Sequence, residues 1–190
     1  MKRKAKTILL AAALVAAGAA FADLKFGTVD MLLLVRNHPN YDSNKALLAS
    51  TDKDYQKKLE GIKSEGEKLQ EEGKKLAEQM RNPMLISKAK SDIESQLMDI
   101  QKKLMGIEQR YRSEALRCRQ DLQDLESRLL RTTTDDLRKR LAKFAEKNGY
   151  DFVFDSNAAV FSRSEADVTD AMLKEMGVDP KDAKGRDEGK

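Results

Sequence analysis

The chain has little of the chemistry on which many folds and sites depend, with no tryptophan, one cysteine (Cys118) and one histidine (His38) in 190 residues. A single cysteine excludes an intramolecular disulfide. A single histidine without a cysteine pair cannot supply the several ligands that a transition-metal site requires. We interpret His38 as a loop histidine before Pro39. We interpret Cys118 as a small buried residue, with an intermolecular disulfide as the alternative.

The sequence also lacks the short motifs by which many enzymes are recognised. It has no Gly-x-Ser-x-Gly elbow, no glycine-rich phosphate-binding loop, no His-Glu-x-x-His and no Cys-x-x-Cys. Asp and Glu are abundant, but they alternate with Lys and Arg, a pattern typical of solvated helix faces. We therefore predict a protein that is not an enzyme and that binds no cofactor and no metal.

Residues 1–22 have the pattern of a secretory signal peptide. Four positive charges precede an apolar run over residues 8–20, and Ala-Phe-Ala at 20–22 has the small-x-small form of a cleavage site. The run is shorter than the roughly 20 apolar residues that span a bilayer. We expect cleavage before Asp23 and export to the periplasm.

The formal net charge of the chain comes from this leader. The whole sequence has 36 Lys plus Arg and 32 Asp plus Glu, a formal net charge of +4. Since four positive residues lie in the leader, the rest of the chain is close to neutral. A neutral chain argues against nucleic acid as a partner. Positive residues outnumber negative ones between Arg110 and Lys143, which indicates either solvated helix faces or a surface for acidic partners.

A long amphipathic pattern fills the middle of the chain, from about residue 44 to residue 148. In its first half apolar residues recur at spacings of three and four, as in a coiled-coil seam, and Asp52, Gly66 and Gly73 occupy the remaining seam positions. A comparable stripe continues from Ile93 to Leu129. These two segments are predicted to be long helices.

Asn82 and Pro83 interrupt this pattern. Proline disfavours helix at the residue before it and has no amide proton to donate. Ser87 is a suitable cap for a second helix. We predict an antiparallel helical hairpin with its tip at Asn82 and Pro83, and one continuous kinked helix is the alternative.

Four glycines lie within the predicted arms, namely Gly61, Gly66, Gly73 and Gly106. Each lowers helix stability by about 1 kcal/mol relative to Ala. They are candidate hinges. For Gly66 and Gly73, which fall on the seam, close approach of the two helices explains the glycine equally well.

Short segments on both sides of the hairpin predict a small base. Strands are predicted at 24–29, 150–154 and 158–161, and short helices at 31–35 and 167–176. The largest apolar residues of the base are expected to form its core, namely Phe152, Phe154, Val160 and Phe161. A sheet this small is marginal alone, so we expect association of several chains through the strands.

These patterns divide the chain into a leader (1–22), a base (23–43 and 123–176), an arm (44–122) and a disordered tail (177–190). The tail is predicted from its charged, glycine-containing composition. The fold class is α+β and mainly α, a long antiparallel coiled-coil hairpin with a small β-strand base for oligomerisation.

This arrangement resembles the Skp/OmpH family of periplasmic chaperones. The most specific part of the resemblance is Phe-Val-Phe-Asp-Ser-Asn-Ala at 152–158, followed by the predicted helix at 167–176. The strand and helix at 24–34 and the hairpin also agree. The resemblance implies a homotrimer in which three helical arms surround a cavity that holds unfolded outer-membrane proteins without ATP.

The resemblance also implies a set of assembly residues and no catalytic residue. The assembly residues are Leu24, Phe26, Val29, Phe152, Phe154, Val160 and Phe161. Lipopolysaccharide or a membrane surface is an open further partner. The alternative function is a periplasmic coiled-coil adaptor that docks a defined partner.

Overall fold

A computed structural model of the chain describes residues 24–186, so the predicted leader and its cleavage site lie outside the described residues. The elements are β1 (Phe26–Val29), α1 (Met31–Arg36), α2 (Tyr41–Met80), α3 (Ser87–Asn148), β2 (Phe152–Asp155) and α4 (Thr169–Glu175). None of the helices within residues 24–186 is long and apolar enough to cross a membrane. The predicted fold class, mainly helical with a long hairpin and a small strand base, is confirmed.

Contacts divide the chain into two compact units. The arm unit comprises residues 42–131, and the base unit comprises the described residues up to 41 together with those from 132 onward. The sequence placed these boundaries after residue 43 and after residue 122. The second boundary lies later in the structure because the helical stripe of the arm continues through Leu125 and Leu129, which are half-buried.

The arm unit is an antiparallel pair of helices. Later residues of α2 contact earlier residues of α3, as expected for antiparallel helices. Gly66 lies against Ile107, and Gly73 lies against Ile100. The break between the helices falls at the predicted place. The Asn82 side-chain oxygen accepts a hydrogen bond from the Met84 amide at 3.0 Å, which turns the chain.

The seam between α2 and α3 is narrow and built partly from small residues. A Cβ added to Gly66 or to Gly73 would lie 3.4 or 3.5 Å from a methyl carbon of the facing isoleucine, so both glycines allow close helix approach. A Cβ added to Gly61 or Gly106 would contact nothing within 4 Å. The five buried residues of the arm unit are Ile62, Gly66, Ile93, Ile100 and Cys118.

The core of the base unit lies between α1, α4 and the last turns of α3. Asp30 caps the start of α1, because its side-chain carboxylate accepts a hydrogen bond from the Leu33 amide at 2.9 Å. Gly149 ends α3 with φ +66°. The buried residues of this core are Val29, Leu33, Leu34, Leu137, Phe144, Val168, Met172, Leu173 and Ala183.

The predicted location of the base core is wrong. Strands β1 and β2 are parallel, and they are the only strands among residues 24–186. Val153 of β2 packs against the core, whereas Phe152 and Phe154 before and after it are exposed, because alternate residues of a strand point to opposite faces. The predicted strand at 158–161 is also absent. A 3₁₀ turn at Ser156–Ala158 replaces its start, and no neighbouring strand pairs with the rest.

The described part of the predicted disordered tail, residues 177–186, is folded, which corrects that prediction. Pro180 and Ala183 are buried. The Asn37 side-chain oxygen accepts a hydrogen bond from the Lys184 amide at 2.9 Å, and its nitrogen donates to the Lys184 carbonyl at 3.2 Å. Two interactions therefore hold this charged segment in place. Its small apolar residues are buried, and Asn37 forms hydrogen bonds with its backbone.

The same glycine-to-alanine change should have opposite effects at two positions. Gly61→Ala should raise the free energy of unfolding by about 0.5–1 kcal/mol, because the site is open and Ala favours helix. Gly149→Ala should lower it by about 1–2 kcal/mol, because the left-handed backbone at φ +66° disfavours a Cβ. Urea denaturation followed by circular dichroism measures both. Shifts of the same sign would contradict these assignments.

Candidate functional site

Three phenylalanines form an exposed aromatic face on the strands of the base unit. The parallel register pairs Phe26 with Phe152 and Thr28 with Phe154. Ring centroids are 5.5 Å apart for Phe26 and Phe152, 6.1 Å for Phe152 and Phe154, and 6.4 Å for Phe26 and Phe154, and all three pairs are stacked. Each side chain stays about half exposed, at 49–50%. Stacked rings left open to solvent are a surface suited to another apolar partner.

Other predicted assembly residues are also exposed, and one of them, Phe161, lies beside the aromatic face. Leu24, Val160 and Phe161 are exposed in the single chain. An open groove of about 410 Å³ lies beside the aromatic face, and Phe26, Phe154 and Phe161 line it together with Ala158 and Ala166 among others. The structure therefore brings together, around this groove, residues that are far apart in sequence.

Val29 does not belong to this surface. Its side chain is 1% exposed and lies in the core of its own chain. The alternation of β1 explains the difference, since Phe26 and Val29 are an odd number of residues apart and point to opposite faces. The resemblance implies assembly for both residues, whereas the structure places only Phe26 on the exposed face.

Two grooves open between the helices of the arm unit where seam residues are small. One, of about 550 Å³, is lined by Ala115 and Cys118 among others. The second, of about 510 Å³, lies at Gly66 and is also lined by Met105 and Tyr111. The narrow seam thus leaves room for small apolar groups along the hairpin. Cys118 is buried and free, which agrees with its interpretation as a small seam residue.

Many large apolar residues of the arm unit face solvent instead of the seam. They are Leu47, Met84, Ile86, Met98, Met105, Tyr111, Leu116 and Leu130. Two of them, Met84 and Ile86, lie at the tip beside the exposed Asn82 and Pro83. Single exposed apolar residues are normal on a protein surface, but a series along two helices gives many separate weak contact points.

Ion pairs join the two helices across the seam. Lys58 Nζ lies 2.5 Å from Glu114 Oε2, and Arg110 pairs with Glu65. The hydrogen bond from Lys58 lowers the pKa of the Glu114 carboxyl. Because these pairs are exposed, they fix the register of the helices more than they add to stability.

His38 has a structural position in the base unit. Its Nδ1 accepts a hydrogen bond from the Asn40 amide at 3.1 Å, so Nε2 carries the proton and donates to Asp136 Oδ2, also at 3.1 Å. The side chain is buried, although it lies in the predicted loop between α1 and α2. Among residues 24–186 no group of three or more His, Cys, Asp or Glu could hold a metal ion. Sequence analysis missed the Asp136 contact because the two residues are 98 positions apart.

The sequence matches a protein-family model over residues 25–176, and the family is described as outer membrane protein (OmpH-like). The match begins just before β1 and ends just after α4, so it includes the hairpin, the aromatic face and most of the base core. Residues 177–190 lie beyond it. No curated protein sequence matches the chain.

The Asp136→Asn variant should be less stable than the native protein at neutral pH, but not at acid pH. The hydrogen bond from Arg140, and then that from His38, lower the pKa of the Asp136 carboxyl in the folded state. The stabilising contribution of the carboxylate is therefore present above the unfolded pKa of about 3.9, and it is lost as the pH falls through the lower folded pKa. Urea denaturation at neutral pH and below about pH 4 measures the difference between the two proteins.

Asp135→Asn is the control for this comparison. Asp135 is the neighbouring carboxylate, and it forms an exposed ion pair with Arg138 at 3.7 Å. Its effect on the free energy of unfolding should be smaller at neutral pH. If the gap between native protein and Asp136→Asn stays unchanged at acid pH, the carboxylate does not act through its charge.

Proposed function

The chain belongs to the OmpH-like family, whose members are periplasmic chaperones and not enzymes, and we propose that it is an ATP-independent holdase for unfolded outer-membrane proteins. The observation that carries this proposal is the arm unit itself. It is a hairpin of two helices, 40 and 62 residues long in full, with a narrow seam and many exposed apolar side chains.

An unfolded barrel protein presents a specific hazard that such arms can reduce. Its apolar strands have unpaired edges, and strands of different chains associate edge to edge. Arms that contact the client through separate apolar and charged side chains would block this pairing. The client would stay mobile because each contact is weak, and affinity would come from their number. No single exposed arm residue should then be indispensable.

Self-association through the aromatic face is the second part of the proposal. Three stacked rings about half exposed, with Leu24, Val160 and Phe161 also exposed, are exposed apolar groups of the kind that mark protein–protein contact sites. The resemblance to the Skp/OmpH family favours a homotrimer. If strands of other copies covered the aromatic face, the small two-stranded sheet would gain packing partners on its exposed side.

An adaptor that docks one defined partner is the alternative function. The cross-helix pairs Lys58 with Glu114 and Arg110 with Glu65 favour it, because they fix the two arm helices in one register. An adaptor would show no activity toward unfolded chains. Lipopolysaccharide or a membrane surface as a further partner stays a prediction from the resemblance, and export by the leader stays a prediction from the pattern of residues 1–22.

The decisive experiment is the mass of the purified protein in solution, alone and after dilution of a urea-denatured outer-membrane barrel protein into it. A holdase of this kind should be a trimer and should keep the barrel protein soluble in a complex of defined mass. Sedimentation or light scattering measures both properties. A protein that leaves the barrel protein to aggregate is not a holdase, and this outcome would favour the adaptor.

The aromatic face can be tested separately from the arms. Phe152→Asp combined with Phe154→Asp should convert the oligomer to monomers, because burying two carboxylates in an apolar interface is unfavourable. The far-ultraviolet circular dichroism should not change, since both side chains lie outside the core. Light scattering at several concentrations gives the mass.

Leu32→Asp is a matched control, because Leu32 is an exposed apolar residue of the base unit outside the aromatic face. That variant should keep the mass of the native protein. If the double phenylalanine variant stays oligomeric, or if Leu32→Asp dissociates equally, assembly uses another surface.

Gly61 and Gly106 are the hinge candidates that this proposal retains. Both lie in open positions of the arm helices, so the packing of the seam does not account for them. The double variant Gly61→Ala and Gly106→Ala should stiffen the arms. If arm bending serves client enclosure, this variant should hold large barrel proteins less well than small ones, relative to the native protein.

A further inference from the structure

One face of α3 combines apolar and positive residues without any negative one. Residues at spacings of three and four from Met98 to Leu130 follow a single line along the helix, which we call the α3 stripe. Its apolar members are Met98, Met105, Leu116 and Leu130, and every position of the stripe is exposed. At 1.5 Å per residue the stripe is about 50 Å long.

The charge of the α3 stripe differs from that of the surrounding helix. Its charged members are Lys102, Arg112 and Arg119, and Gln or Ser occupies positions 109, 123 and 127. Residues 98–130 include six acidic residues, and none of them lies on the stripe. They are Asp99, Glu108, Glu114, Asp121, Asp124 and Glu126. Of these six residues, Glu108 affects the charge of the stripe most directly, because its carboxylate lies on the adjacent line of the helix and forms an ion pair with Arg112.

The α3 stripe is separate from the seam with α2. Seam residues of α3, such as Ile100 and Cys118, are buried, whereas the stripe residues Met98 and Leu116, two positions before each of them, are exposed. A difference of two residues rotates the side chain by about 200° around the helix. Helix packing within the arm unit therefore does not explain why these positions are apolar.

We infer that the α3 stripe is the face of the arm that binds an extended, unfolded client segment in which apolar residues alternate with Asp or Glu. This inference rests on the proposed holdase function and names the client chemistry that the arm selects. An extended strand presents its apolar residues on one side at a period of two. Methionines adapt to apolar side chains of different shape, so Met98 and Met105 suit many sequences.

Charge complementarity decides which client segments fit best. Carboxylates of the client can pair with Lys102, Arg112 and Arg119, and no carboxylate on the stripe repels them. A client segment rich in Lys or Arg would meet only positive charge along the same line. The charged positions of the stripe thus discriminate between acidic and basic client segments, whereas its apolar positions accept apolar side chains of many shapes.

Two other occupants fit the α3 stripe less well. A second copy of the arm packed through the same line would offer no carboxylate to the three positive residues of the first. A membrane surface is usually bound by a broad apolar helix face with Trp or Phe, whereas the stripe is one residue wide and has no aromatic residue.

Neighbouring lysines give a matched test of the α3 stripe. Lys102→Glu places a carboxylate on the stripe, and Lys103→Glu makes the same charge change about 100° around the helix. Binding of a short labelled peptide with alternating apolar and acidic residues is measured by fluorescence anisotropy. Lys102→Glu should weaken binding about threefold to tenfold, whereas Lys103→Glu should change it by less than about twofold.

Apolar positions are tested in the same way. Met105→Gln with Leu116→Gln should weaken binding of the same peptide about tenfold, and Leu47→Gln with Met84→Gln, which removes exposed apolar contacts outside the stripe, should weaken it less. A peptide with Lys in place of the acidic residues should bind the native protein less tightly than the acidic peptide. This difference should shrink in high salt.

The native protein is assayed in parallel for its ability to keep a urea-denatured barrel protein soluble. If it does so, but Lys102→Glu and Lys103→Glu bind the acidic peptide equally, the α3 stripe is not the client face and the holdase function stands. If the native protein keeps no barrel protein soluble, the proposed function itself fails.

Loss of binding to anionic lipid vesicles in Lys102→Glu, with peptide binding unchanged, would overturn the inference in favour of a membrane surface. If the mass of the native protein depends on concentration, and Lys102→Glu changes this dependence but Lys103→Glu does not, the stripe binds a second copy and the inference is overturned.

Discussion

The narrow seam between α2 and α3 is the constraint on which the surface of the arm unit depends. Its buried positions are few, and at Gly66 and Gly73 the facing isoleucine methyl groups lie where a larger side chain would otherwise extend. Helices held by so little buried area leave most of their side chains in solvent. The apolar residues outside the seam are therefore surface features, and the grooves beside Gly66 and Cys118 result from the same small residues.

The base unit has a related constraint, because its two-stranded sheet has two faces and only one core. Val29 and Val153 lie on the side of the sheet that contacts the helices, whereas Phe26, Phe152 and Phe154 lie on the other. Stacking among the three rings orders them without removing them from water. A single chain thus satisfies one face of the sheet and leaves the other for a partner, which is why assembly is proposed there.

Local signals in the sequence predicted most of the elements, although not the absence of a strand at 158–161, and they did not predict which residues of the base unit the fold would bury. Asn82 with Pro83 and Asn148 with Gly149 act through backbone chemistry within a few residues, so the hairpin turn and the end of α3 were predictable. The exposure of Phe161 and the burial of Ala183 depend on contacts between distant segments. Hydrophobicity alone favours the reverse assignment, since phenylalanine is the larger apolar residue. Of the residues named for assembly, Val29 lies in the core of its own chain, whereas the other six are exposed in the single chain, and their role in assembly stays a proposal.

Residues 23–190 have as many positive as negative residues, yet one line of a helix can still present charge of one sign. Exposed charges interact over about 10 Å or less at physiological salt, whereas α3 spans 62 residues, or about 90 Å. An extended segment lying along the helix therefore responds to the charges on the line beneath it, not to the sum over the chain. Segregation of carboxylates to other lines of α3 gives local selectivity, and it does not change the net charge of the chain. Composition could not reveal this property, because it appears only when helix register and exposure are known residue by residue.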